Sequence, residues 1–310
     1  MKEIRVIAPS DSWKHDREDS YVRAQHRLKS MGYNVSYATH VKSVDYLGTS
    51  YAQQRAKDFN DAFRDPAVDV IIALHGGFAA NEILPYIDWE IIKANPKPLV
   101  GYSDITVLVN AIYAMTGVTA YLGPNLGTIG YEKLWKYTLD GLLKAISGKK
   151  YELFPSAQYI DDKKEYQALP WQIIEQGSAQ GVLLGGNIQT IFLLQGTDYR
   201  LRFDQDYILA VEDDSLSKEY TLHGFSRNLE SILQLPNARQ NLKGIIIGRF
   251  EAASKVDPEE LSKVLHAKKI DNVPIVANLD FGHTTPIATL PIGGNVSLVA
   301  DNNGVKISIN

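Results

Sequence analysis

Residues 68–77 read VDVIIALHGG, an apolar run that ends in a histidine and two glycines. A run of this kind is how a central strand of a parallel sheet reads, because helices cover both its faces. The glycine pair at its C-terminal edge lets backbone approach a ligand. Upstream, residues 4–8 predict a first strand, and Tyr21, Ala24, Leu28 and Met31 form a helical stripe that stops at Gly32. Residues 35–38 predict a second strand, and the stripe Ala52, Ala56, Phe59, Phe63 a second helix that ends at Asp65-Pro66. Downstream come a strand over 98–101 and helices over 105–115 and 134–146. Strands alternating with helices in this way predict βαβ units and an α/β fold with a parallel sheet.

Between 148 and 171 the periodicity fades into KKYELFPSAQYIDDKKEYQALPW, which reads as a connecting segment. The chain therefore divides into an N-terminal α/β domain (1–150), this connection (151–171) and a C-terminal domain (172–310). In the last, strands are expected at 207–211, 244–247 and 273–277, helices at 217–233 and 257–268, and a hairpin at 296–309 around Asn302-Asn303-Gly304.

Composition narrows the chemistry. With 310 residues the chain can bury a substantial core, and 45% hydrophobic with 22% charged residues is ordinary globular usage. Lys and Arg number 32 against 36 Asp and Glu, a net charge of -4, so nucleic acid is not an expected partner. The absence of cysteine excludes a thiol nucleophile, a thiolate metal site and a disulfide. The opening residues, MKEIRVIAPSDSW, hold an apolar run too short for a signal peptide or a membrane span, so a cytoplasmic location away from membranes is expected.

Ser103 is the first candidate nucleophile. Strand, turn and helix (PLVGYS, then DITVLVNAIYAM) place its hydroxyl at a helix start, where free N–H groups and the helix dipole favour an oxyanion. The arrangement resembles a nucleophile elbow, although the full G-x-S-x-G pattern is missing and serine is also a preferred N-cap. Of seven histidines, His283 in FGHTTP follows the apolar run VPIVANLD and is the candidate base, with His75 its rival. Glu212 ends the strand YILAVE and can orient an imidazole. Asp213 and Asp214 follow it, and a run of three acids also admits a solvated turn or a divalent-cation site. All three chosen residues end apolar strands, which is where open α/β sheets place a ligand crevice.

Seven motifs occur together: GYSDIT with Ser103, Gly123-Pro124, LLGGN at 183–187, Gly196-Thr197, VED with Glu212, IIGRF at 246–250 and DFGHTTP with His283. In this order they resemble the LD-carboxypeptidase family of serine peptidases, over residues 6–292. HGGFAANEILPYIDW followed by NPKPLVGYSDIT is more similar to the MccF-type, microcin C immunity branch than to the cell-wall enzymes. The resemblance implies a flavodoxin-like N-terminal domain, a smaller β-rich C-terminal domain, a site between them, a homodimer and no metal or other cofactor. It also implies a triad of Ser103, Glu212 and His283, with the Gly77 and Asp104 amides as oxyanion hole and Gly76 serving the turn. MccF-type enzymes cleave the amide joining an acyl-aspartyl group to a nucleotide-like moiety, and a loop aromatic stacks on the base. The connecting segment offers Tyr159, Tyr166 and Trp171, with no tryptophan in its early part. A stack on Tyr159 would contribute on the order of 1 kcal/mol, whereas Trp171 suits packing at the junction.

Acyl transfer to water is the chemistry this implies, on a small peptide or peptide-nucleotide conjugate, with a rate that falls below roughly pH 6 as the base gains its proton. A muramoyltetrapeptide LD-carboxypeptidase is the alternative within the family. A non-catalytic ligand-binding protein and a hydrolase with a metal on Glu212, Asp213 and Asp214 are the alternatives outside it.

Overall fold

The computed structural model describes residues 2–270 and 272–310. Its first sheet has six strands in the order Leu290–Ile292, Ala120–Leu122, Leu99–Gly101, Val70–Ala73, Lys2–Ile7, Tyr33–Tyr37. The last five are mutually parallel and follow the 2-1-3-4-5 order of flavodoxin-like sheets. The sequence predicts this half well because its helices are amphipathic at the expected spacing. Tyr21, Ala24 and Leu28 of helix Glu18–Ser30, and Ala56, Phe59 and Phe63 of helix Ala52–Arg64, are buried against the sheet. Val70–Ala73 is buried along its whole length, as a central strand requires.

The second sheet is the larger, with eight strands. Four are parallel, in the order Gly177–Asn187, Tyr207–Glu212, Leu242–Gly248, Ile275–Leu279. Gln172–Glu175 closes one edge, and Asn295–Asp301, Gly304–Ile309 and Tyr151–Leu153 extend the other, all antiparallel. Helix Pro258–Ala267 starts on Asp257, whose carboxylate accepts from the Glu259 and Glu260 amides at 2.9 and 3.0 Å.

Three features depart from the sequence reading. The 11-residue strand Gly177–Asn187 was not expected, and it lies near the middle of the larger sheet. The stretch 151–171 is not merely a connection: Tyr151–Leu153 joins the larger sheet, and Gln158–Asp161 pairs with Lys164–Gln167 as a hairpin. Leu290–Ile292, late in the chain, returns to pair antiparallel with Ala120–Leu122 in the first sheet. The chain thus crosses back between its halves, and one core cluster includes Ile71 and Leu108 together with Ile208, Ile246 and Leu298.

Candidate active site

The C-terminal edges of the two sets of parallel strands face a common cleft of about 560 Å³. Tyr102 and Ser103 follow Leu99–Gly101 directly, and Ser103 opens a single helical turn that runs on into helix Thr106–Thr116. Its φ of +64° is the strained left-handed conformation of a nucleophile elbow. That fold presses the serine against the turn after Val70–Ala73. A Cβ on Gly76 would lie 2.9 Å from Ser103 Cβ, so only glycine fits there.

Glu212 ends its strand beside Asn187 of the neighbouring one, and its side chain is 1% exposed. Its Oε2 accepts from His283 Nδ1 at 2.8 Å, while Oε1 is buried without a partner. His283 Nε2 lies 3.0 Å from Ser103 Oγ. Gly282, at φ +112°, lets the histidine turn close on the glutamate, since a Cβ there would meet Glu212 Oε2 at 3.0 Å. The structure therefore joins Ser103, His283 and Glu212 in one hydrogen-bonded line from three separate strand ends. With Nδ1 donating to the carboxylate, Nε2 is left to accept the serine proton.

Burial alone would lower the His283 pKa. The Glu212 charge and hydrogen bond, with the nearby Asp214 and Glu251 carboxylates, outweigh it and push the pKa up to about 9. That value lies above the ordinary imidazole range on which the expectation near pH 6 rests, because a reference imidazole has no carboxylates around it.

Gly77 has φ +149°, and a Cβ there would collide with the Asp11 carboxylate and Ser10 Oγ. Neither its amide nor that of Asp104 donates to a protein acceptor among the described residues. The Asp104 carboxylate is buried and accepts from Ser10 Oγ at 2.6 Å and the Ala80 amide at 2.8 Å, so it ties the first-strand turn to the glycine turn. Burial, only partly offset by these hydrogen bonds, raises its pKa.

The rival base is occupied elsewhere. Buried His75 contacts the Tyr21 hydroxyl through Nε2, and burial, with the Arg17 and Lys14 charges, lowers its pKa to about 3. The acid run after Glu212 does not converge on one point. Asp213 accepts from Gln189 at 2.9 Å, and Asp214 accepts from the Leu216 amide at 2.9 Å.

Tyr159 and Trp171 do not line the cleft. Tyr159 stacks on Tyr166 at 5.1 Å with the Arg249 guanidinium 4.4 Å above its ring. Trp171 is buried and donates from Nε1 to Asp280 at 3.2 Å. Both are held by the buried Arg249–Asp280 ion pair (2.8 Å), which fixes the connecting segment to the larger sheet. Sequence reasoning missed the cleft walls instead: Asp11, Lys14 and Arg17 after the first strand, Phe78 after the glycine pair, Tyr131, and Glu251. Their signal was position, since most follow the C-terminal end of a parallel strand.

Known proteins resemble this chain over nearly its whole length. Residues 4–123 match the LD-carboxypeptidase N-terminal domain and residues 180–298 the LD-carboxypeptidase C-terminal domain. YocD of Bacillus subtilis, which carries a carboxypeptidase name, is 38% identical over 99% of this chain and 96% of its own length. The crystal structure of an MccF-like protein from Bacillus anthracis superposes with a TM-score of 0.96 at 38% identity, covering 99% of this chain and 96% of that one. The microcin C7 self-immunity protein MccF of Escherichia coli is 27% identical over 94% of this chain and 88% of its own. A structure of MccF with aspartyl sulfamoyl adenosine has a TM-score of 0.87 at 26% identity, covering 100% of this chain and 96% of that one. Fold and sequence agree, and the chain belongs to the LD-carboxypeptidase family as a serine carboxypeptidase.

Proposed function

We propose that the protein hydrolyses an amide bond through a Ser103–His283–Glu212 triad, as an MccF-like carboxypeptidase acting on acyl-aspartyl nucleotides or related peptide conjugates. The observation that carries this is the line Ser103 Oγ, His283 Nε2 (3.0 Å), His283 Nδ1, Glu212 Oε2 (2.8 Å) opening into a cleft. Ser103 Oγ attacks the scissile carbonyl as His283 takes its proton. The tetrahedral oxyanion lies against the Gly77 and Asp104 amides, with Gly76 giving backbone access. Its collapse breaks the C–N bond, and His283 gives the proton to the leaving amine. Water, deprotonated by the same imidazole, then frees the acyl group. Glu212 keeps Nδ1 protonated and stabilises the imidazolium. Removing one such oxyanion donor typically costs about 10²- to 10³-fold in rate, or about 2.7 to 4 kcal/mol.

In this reading residues 1–150 supply the nucleophile and 172–310 the base and its carboxylate, in a cytoplasmic homodimer that needs no cofactor. No helix among the described residues is long and apolar enough to cross a membrane. The second reading is a muramoyltetrapeptide LD-carboxypeptidase. It is favoured by the one observation that no aromatic of the connecting segment reaches the cleft.

Product detection by mass spectrometry on aspartyl sulfamoyl adenosine and an L,D-linked murein tetrapeptide, with wild type and Ser103→Ala, decides between them. Free aspartate released only by wild type supports the first reading, and terminal D-alanine the second. Turnover that survives Ser103→Ala overturns the triad, and binding without turnover in either protein leaves a ligand-binding protein.

A further inference from the structure

The two amides of the proposed oxyanion hole belong to different loops. Gly77 follows Val70–Ala73 and Asp104 follows Leu99–Gly101, and among the described residues no backbone hydrogen bond joins residues 75–80 to residues 102–105. The loops nevertheless lie in contact, since a Cβ on Gly76 would come within 3.3 Å of the Asp104 nitrogen. Two donors serve one oxygen only if their relative placement is held to about 0.5 Å. Something other than backbone pairing has to hold it.

The holding is done by a third loop, the turn after the first strand. Asp104 Oδ2 accepts from Ser10 Oγ at 2.6 Å and from the Ala80 amide at 2.8 Å, and Ser10 Oγ in turn accepts from the Ala79 amide at 3.3 Å. On the other side of Gly77, the Asp11 amide donates to the Gly76 carbonyl at 3.2 Å. The glycine turn is thus gripped before and after Gly77, and both grips lead through Ser10 or its neighbour to one carboxylate oxygen. Arg55, 1% exposed, supports the same two turns from behind by donating from Nη1 to the carbonyls of Pro9 at 2.8 Å and Ala79 at 2.7 Å. An acid at residue 104 is unfavourable for folding alone: it is 4% exposed, and burial raises its pKa in spite of its hydrogen bonds. An apolar side chain would avoid that penalty, but it could not draw two donors to one point.

We propose that the Ser10 hydroxyl and the Asp104 carboxylate are positioning residues of the oxyanion hole, a brace that locks the turn after the first strand between the other two loops and aims the Gly77 and Asp104 amides at one place. The inference rests on the triad and oxyanion hole proposed above. It gives the residue after the nucleophile two duties, donor through its amide and brace through its carboxylate.

The test compares full-length wild type with Ser10→Ala, Asp104→Ala, Asp104→Asn and the double variant Ser10→Ala/Asp104→Ala by two readouts. One is kcat and KM on whichever of the two amide substrates wild type turns over. The other needs no amide: the rate at which a fluorophosphonate labels Ser103, followed by intact mass, in which the Oγ–P bond forms, His283 takes the serine proton and fluoride leaves. Each alanine variant should lower kcat and labelling about 10²-fold, the loss that goes with a misplacement of roughly 1 Å, with KM unchanged. The double variant should lose no more than the larger single loss, because both substitutions remove one brace. Asp104→Asn, whose amide oxygen can accept both bonds, should recover most of the rate. The brace is overturned by unchanged kcat and labelling in Ser10→Ala, by a rise in KM without a fall in kcat, by single losses that multiply in the double variant, or by Asp104→Asn as slow as Asp104→Ala. Where circular dichroism shows Asp104→Ala unfolded, Ser10→Ala and Asp104→Asn decide. Wild type that is labelled at Ser103 but inactive on both amides, with labelling slowed in the variants, keeps the brace and rejects the substrate reading. Wild type that is neither labelled nor active overturns both.

Discussion

A histidine that serves as base must be neutral, and His283 is surrounded by groups that keep it charged. Glu212 touches it, and Asp214 and Glu251 act from beside the cleft, while Ser103 and the edge of the Tyr102 ring complete its surroundings. With its pKa pushed up to about 9, the neutral fraction grows only as the pH rises toward that value. On the proposed mechanism kcat/KM therefore falls on the acid side with a midpoint near 9 rather than near the 6.5 of a free imidazole. Glu251→Gln removes one of the raising charges and should move that limb to lower pH, which a pH–rate profile of both proteins reads directly. A wild-type midpoint near 6.5, or a limb unmoved in the variant, contradicts the assignment of His283 as base. The same raised pKa has a stability consequence of definite sign. The His283–Glu212 ion pair stabilises the fold fully below the unfolded histidine pKa, and that stabilisation is lost as pH climbs through about 9.

At the scale of elements, legibility followed side-chain pattern. Val70–Ala73, Tyr207–Glu212 and Leu242–Gly248 are apolar runs and were read, and so were the amphipathic helices. Ser103, Glu212 and His283 were legible for the same reason, since each lies at or just beyond the end of such a run. Gly177–Asn187 was not, because Gly177, Gly181, Gly185 and Gly186 carry no periodic side chains and depress strand propensity. Those glycines are there for close approach. A Cβ on Gly185, at φ +130°, would lie 1.8 Å from the Ala210 carbonyl oxygen, and one on Gly186 would lie 2.6 Å from the Thr106 side chain. Gly185→Ala should therefore destabilise the protein by about 3 kcal/mol or more, whereas Gly196→Ala, in open space at φ +82°, should cost about 1 kcal/mol. Denaturant unfolding of the two variants tests the difference, and equal losses would contradict the packing argument. Strands of three residues such as Ala120–Leu122 and Leu290–Ile292 offer too few positions for a period to show. The stretch SDSWKHDR, from which Asp11, Lys14 and Arg17 line the cleft, was opaque for the opposite reason, since a polar turn that lines a cleft and one that only faces water have the same composition.

At the scale of the whole molecule, the return of Leu290–Ile292 to the first sheet and the core shared by both sheets bind the halves into one unit. Urea unfolding followed by tryptophan fluorescence should coincide with that followed by far-ultraviolet circular dichroism, because the first sheet is complete only with Leu290–Ile292 from the second half and the two sheets share a core. Trp13, Trp89 and Trp135 report from the first half and Trp171, at the end of the connecting segment and bonded to Asp280, from the second, so two separated transitions would show the halves to be independent. The turn with His283 lies between Ile275–Leu279 in the larger sheet and Leu290–Ile292 in the smaller, anchored at both ends. The spacing between imidazole and serine is therefore set by how the two sheets seat on each other. On the proposed mechanism a chain still emerging from the ribosome carries its nucleophile, Ser103, long before residue 283 supplies the base and residues 290–292 supply the strand that closes its turn. With that triad, a growing polypeptide that has passed Ser103 stays chemically silent until His283 has been made and the strand Leu290–Ile292 has closed its turn against the first sheet.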